Sequence, residues 1–141
     1  MNGAKKKMSK STGYDRDKNY WNEYYKKLAD KPIVPSKFAN DIVGFLEKNK
    51  RLLELGCGNG KDSLFFWQQG LFVTGIDASD YSIKMLNERY VNERIRFICD
   101  DFVCSSAIFA GQYEYVYSRF SLHAINEEQE TEVIANVYRV L

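Results

Sequence analysis

The stretch LLELGCGNGKDSLFF, Leu52 to Phe66, sets Gly56, Gly58 and Gly60 at alternate positions directly behind an apolar run that carries Glu54. Glycine costs backbone entropy, so three of them where a strand turns into a helix imply that something approaches the backbone more closely than a side chain permits. Phosphate is the usual guest of such a turn, but the spacing argues against it. A P-loop requires lysine followed by serine or threonine, and here Lys61 is followed by Asp62. A dinucleotide fingerprint sets two residues between its last glycines, and only Asn59 separates Gly58 from Gly60. Asp62 would also repel a pyrophosphate seated on the helix dipole. The loop suits a ligand without phosphate. Further along, Asp77, Asp100 and Asp101 supply acceptors, and His123, the single histidine, is a candidate general base. Arg119 could grip an anion. Plainer roles stay open for each: a turn cap for Asp77, a helix cap for Asp101, core for Phe102, a backbone hydrogen bond for His123, an ion pair for Arg119, the surface for Asp62.

The elements that must hold these residues follow from apolar periodicity. Residues 1–15 read as a flexible basic tail, and the ordered domain spans 16–141. Tyr20, Trp21, Tyr24, Tyr25 and Leu28 share one face of a helix that Pro32 and Pro35 end. Ser36 caps a second helix with Phe38, Ile42, Phe45 and Leu46 as its buried stripe. Strands are expected over Arg51–Leu55, Leu71–Ile76, Ile95–Cys99 and Tyr113–Tyr117. Between them lie helices over Lys61–Gln69, stopped by Gly70, over the segment after Ser79 or Asp80 with Ile83, Leu86 and Tyr90 inward, and over Cys104–Ala110. Asn126 caps a last helix whose apolar face is Val133, Ile134, Val137 and Leu141. Strands alternating with helices give an α/β, doubly wound parallel sheet, whose ligand site lies beyond the carboxyl ends of the strands.

ELGCGNG, then GIDAS, then CDDF, in this order and spacing, resemble the first three motifs of the class I S-adenosylmethionine-dependent methyltransferases. The resemblance runs from about Tyr20 to Leu141 and implies S-adenosyl-L-methionine as cofactor and S-adenosyl-L-homocysteine as product. It implies that Gly56, Cys57, Gly58 and Gly60 pass close to the ribose and methionine tail. Glu54 would secure the loop or the tail's ammonium, and Asp62 would reach the tail as well. Asp77, followed by Ala78, would accept the ribose hydroxyls, Asp101 the adenine amine, with Phe102 against the ring. Ser118 would line the methionine end, with Arg119 and His123 facing the acceptor. Tyr20 and Tyr24 are the ring faces expected near the sulfonium, where cation–π attraction favours them. The segment YSRFSLHAI, Tyr117 to Ile125, lacks the Asn/Asp-Pro-Pro-aromatic motif tied to nucleobase and amide nitrogens. It also lacks the acidic ligands of the metal-dependent catechol type, so no metal is expected. The texture is similar to tellurite-resistance, thiopurine and surface-polysaccharide-associated enzymes, which implies a small polar or sugar-type acceptor. A non-catalytic module binding the cofactor or its product is the alternative, and a nicotinamide-binding domain a third.

Composition bounds the rest. The net charge of +1 over 141 residues gives no electrostatic reason to expect nucleic acid or an anionic membrane as partner. Cys57, Cys99 and Cys104 form no paired spacing, which suggests free thiols in a reducing, cytoplasmic setting. By the resemblance, a full domain continues beyond Leu141 with a glycine turn, a fifth strand and an antiparallel pair. The expected sheet is therefore truncated after the fourth strand and its helix, with order 3-2-1-4. A shortened chain, a piece of a larger enzyme, or a small protein completed by a homodimer or another partner over the open sheet edge would each explain it.

Overall fold

A computed structural model describes residues 18–27, 32–103, 111–119 and 125–141. Its sheet is parallel throughout, in the order β3-β2-β1-β4, where β1 is Arg51–Leu55, β2 Phe72–Asp77, β3 Ile95–Cys99 and β4 Tyr115–Ser118. Register pairs Leu53 with Thr74 on one side and with Val116 on the other, so β1 is central. Beyond its exposed first residue, β1 is buried at every position, as is β2, the pattern of strands covered on both faces. The expected architecture and strand order hold.

Helix α1 covers 18–27 and α2 covers Lys37–Ile42, with a 3-10 turn at Val43–Phe45. Helices α3 (Lys61–Gln68), α4 (Asp80–Arg89) and α5 (Glu127–Val140) complete the described residues. Their ends follow local chemistry. Ser36 accepts from Ala39 N, Ser79 rather than Asp80 accepts from Ser82 N, and Asn126 with Gln129 forms a capping box. Gly70, at φ 99°, stops α3 in the left-handed conformation as expected.

Two apolar clusters sandwich the sheet. One joins Leu52, Leu64, Phe66, Leu71, Ile83 and Phe97 beneath α3 and α4; the other joins Leu53, Leu55, Ile76, Val133 and Val140 beneath α5. Several expected core positions lie elsewhere. Phe45 is 84% exposed and Phe38 is 49% exposed, because α2 stops at Ile42 and buries Ala39 instead; one face of the Phe38 ring stacks on Tyr117. On α5 the buried pair is Val133 and Val140, while Ile134 and Leu141 are exposed. The fourth strand starts two residues late: the amide of Tyr113 donates to Val140 O, and its ring packs in the second cluster. The tail at 1–15, Leu28 and the helix expected at Cys104–Ala110 fall outside the described residues.

Candidate functional site

At the carboxyl end of β1 the chain turns tightly: the amides of Gly56 and Cys57 both donate to Ile76 O on β2, and Gly60 N donates to Cys57 O. Gly56, Gly58 and Gly60 have φ of 72°, 57° and 79°. That conformation costs an ordinary residue about 1–2 kcal/mol, which accounts for glycine at these positions before any ligand is considered. Close approach enters as well, but from the chain itself. A Cβ on Gly58 would lie 2.5 Å from Tyr25 Oη, and one on Gly60 would lie 2.8 Å from Leu86.

The carboxylates converge on this loop. Asp77, at the end of β2, accepts from Gly58 N at 2.9 Å with one oxygen and from Ser79 N at 2.9 Å with the other. It therefore clamps the first strand's loop to the second's. Burial pushes its carboxyl above the usual value, opposed by the amides of Ser79, Gly58 and Ala78. Glu54 accepts from Ser63 Oγ at 2.6 Å; burial raises it well above a normal glutamate, Ser63 works against that, and Asp62 and Asp77 raise it further. Asp62 is 3% exposed, so it is no surface residue. It accepts from Ser36 N (2.7 Å), Ser36 Oγ (2.8 Å) and Tyr117 Oη (2.6 Å), tying the start of α2, the first turn of α3 and the end of β4 together. Burial, then the hydrogen bond to Asp62, pushes the Tyr117 phenol up. None of Glu54, Asp62 and Asp77 has an ion-pair partner among the described residues. Three buried acids thus rim one loop without a cation. Among the described residues no group of acids, cysteines and histidine has the arrangement to hold a metal ion.

Helix α1 closes over the loop. Ser79 Oγ donates to Asn22 Oδ1, Asn22 Nδ2 donates to Asp80, and Lys18 pairs with Asp80 at 3.6 Å. The ring set against Gly58 belongs to Tyr25; Tyr20 and Tyr24 are 63% and 42% exposed. Helical spacing put all of these aromatics on one broad face, and only the packing of α1 on the loop selects Tyr25 with Trp21 stacked behind it. A cavity of about 20 Å³ remains beside the loop, between Tyr25, Asn59, Ser82 and Leu86, far below the volume that a nucleoside fills.

The remaining expected residues are placed as follows. Cys57 is buried, with its thiol pushed up by burial. Ala78 sits between Asp77 and the α4 cap, its carbonyl 3.7 Å from Cys99 Sγ. Asp101 accepts from Val103 N in a local turn, and Phe102 packs partly buried against the second cluster. Ser118 ends β4 opposite Leu55, and Arg119 follows it. His123 lies outside the described residues. Ser36, Ser63 and Tyr117 were not expected at the site, and Tyr25 was passed over for Tyr20 and Tyr24; Ser36 left a signal as a helix cap, and Tyr25 as one of the aromatic face.

A family model described as a methyltransferase domain matches residues 52–141. Over 128 residues the chain is 28% identical to the probable S-adenosylmethionine-dependent methyltransferase CRG1 of Saccharomyces cerevisiae, covering 87% of this chain and 43% of that one. Among solved structures, a TehB-like SAM-dependent methyltransferase from Corynebacterium glutamicum superposes with a TM-score of 0.69 at 19% identity, over 90% of this chain and 68% of that one. A 1,6-didemethyltoxoflavin-N1-methyltransferase from Burkholderia thailandensis gives 0.68 at 19% identity, over 96% and 58%. The chain spans less than half the length of the first curated relatives it matches. The motif resemblance, the strand order and a family match over most of the described residues converge, and the chain belongs to the class I methyltransferase domain family.

Proposed function

We propose that this chain binds S-adenosylmethionine over the loop Gly56–Gly60 and is the cofactor-holding part of an enzyme that methylates a small polar acceptor. The observation that carries the reading is the set of three buried carboxylates, Glu54, Asp62 and Asp77, with no ion-pair partner among the described residues, around a phosphate-unfriendly glycine loop. Buried acids that have hydrogen bonds but no cationic partner are costly when ionised, and a ligand with cationic groups offsets that cost. When bound, the cofactor supplies a methyl group on a cationic sulfur that departs as a neutral thioether. The donor set fits such a guest in charge and in hydrogen-bonding type, whereas its space is taken up by Tyr25 until α1 yields.

In this reading Asp77 keeps the two strand-end loops together and receives the ribose hydroxyls. Asp62 sets the negative field at the methionine end, with Glu54 beside it as a hydrogen-bonding group. Asp101 receives the adenine amine, and Phe102 borders the ring. Ser118 and Arg119 leave β4 toward the acceptor, where positioning supplies much of the acceleration. His123 removes a proton only where the acceptor still carries one at neutral pH. The small polar acceptor is supported by the missing Asn/Asp-Pro-Pro-aromatic motif and by the near-neutral charge.

Calorimetry with S-adenosylmethionine, S-adenosylhomocysteine and NAD, followed by methyl-donor consumption against a metabolite panel, tests this. Binding of the first two without NAD, with turnover on a small polar compound, is the expected result. Affinity for NAD alone would overturn the cofactor assignment, and cofactor binding with turnover only on RNA or protein would overturn the acceptor.

A further inference from the structure

At the opposite, amino-terminal end of the sheet lies a second cavity, of about 260 Å³, framed by Arg51, Phe72, Glu93, Arg94, Arg96 and Tyr113. Nothing in the methyl-transfer reading uses it. Three arginines and one glutamate line it, in a molecule whose overall charge is only +1. Two residues that line it also carry donors without acceptors among the described residues: Arg94 Nε and Tyr113 Oη are buried, with no hydrogen-bond partner there. Tyr113 is 6% exposed, so solvent does not readily supply one. Unpaired buried donors are rare in folded proteins because each forfeits its hydration without return.

Two of the arginines are held in place. Arg94 donates twice through Nη2, to Asn49 Oδ1 and Gly70 O at 2.7 Å each, and its guanidinium lies 4.2 Å over the Phe72 ring. Arg96 Nε donates to Thr74 Oγ1 at 3.2 Å. On the far side Glu114 takes up the Arg51 amide, so its carboxylate is engaged on the backbone. Orphaned donors, surplus positive charge and restrained guanidiniums call for one chemistry: an acceptor-rich anion.

We propose that this cavity binds a tetrahedral oxyanion, inorganic phosphate or the phosphate of a phosphomonoester, between Arg94, Arg96 and Tyr113. The site is separate from the glycine loop and does not depend on what that loop holds. Guanidinium forks match phosphate oxygens in pairs, and the tyrosine hydroxyl adds a neutral donor.

Amide and arginine side-chain NMR of the 141-residue chain, titrated with sodium phosphate, glucose 6-phosphate and, at matched ionic strength, sodium chloride, tests the assignment. Saturable shifts confined to Phe72–Thr74, Glu93–Arg96 and Gly111–Tyr113 are expected with both phosphates and absent with chloride. Tighter binding of glucose 6-phosphate would identify a phosphomonoester site; equal or weaker binding would identify free phosphate. Arg96→Ala should weaken binding about tenfold, the equivalent of one charge-assisted hydrogen bond, and Tyr113→Phe about threefold, with both spectra otherwise folded. Arg96 is exposed, so its variant carries little folding risk. Shifts reproduced by chloride, no saturation with either phosphate, or unchanged affinity in Arg96→Ala would each overturn the proposal.

Discussion

Glu54 has no cation beside it, and its only hydrogen-bond donor among the described residues is Ser63. Burial raises its folded-state carboxyl, so between the unfolded value near about 4.3 and the raised one the folded chain holds the extra proton. Its contribution is therefore complete below about pH 4.3 and is lost as pH climbs through the raised value, at about 1.4 kcal/mol for each pH unit in that window. Glu54→Gln keeps an acceptor for Ser63 and removes the titration. Its melting temperature, measured against the parent from pH 4 upward, should gain with rising pH; a difference independent of pH would contradict this. Gly58 is the second residue-scale test. Gly58→Ala forces a Cβ into a left-handed position and onto the Tyr25 hydroxyl, with an expected loss of about 1–2 kcal/mol in urea unfolding.

At the scale of elements, Asp62 joins α2, α3 and β4. Asp62→Ala leaves Ser36 N, Ser36 Oγ and Tyr117 Oη without their acceptor, and denaturant unfolding should register a loss of about 3–4 kcal/mol. Tyr117→Phe removes one of those bonds and should cost about 1 kcal/mol. Helix α1 is held to the loops through Asn22. In Asn22→Ala, hydrogen exchange at Gly58 and Ser79 should accelerate about tenfold, while exchange in β1 stays unchanged. Strands and caps were legible because each is written locally, in apolar runs and in Ser36, Ser79, Gly70 and Asn126. The inward choice of Tyr25 over Tyr20 and Tyr24 was not, since helical spacing places them on one broad face and only docking on the loop separates them. Phe45 and Ile134 misled for a related reason: each has an apolar side chain on the expected stripe, but the packing ends before reaching it.

For the molecule as a whole, motif order made the sheet and its loaded end readable. Links between distant segments were not: Asp62 to Ser36 and Tyr117, or the arginines gathered under the sheet, depend on strand order and register that no single segment encodes. Among the described residues β4 is paired only with β1, which leaves Tyr115–Ser118 on an edge. Unpaired edges recruit other strands. Sedimentation of the 141-residue chain should show association that grows with concentration; a monomer throughout would contradict an adhesive edge. No helix among the described residues is long and apolar enough to cross a membrane.

The two strand-end loops meet at one carboxylate, so calorimetry of S-adenosylhomocysteine against the parent chain and Asp77→Asn decides whether the loops form the nucleoside's seat. The asparagine keeps the shape of Asp77 while removing its charge and one acceptor, and a loss of at least about tenfold in affinity with a fully folded variant is expected. Equal affinity in the two proteins would place the nucleoside elsewhere and contradict the assignment.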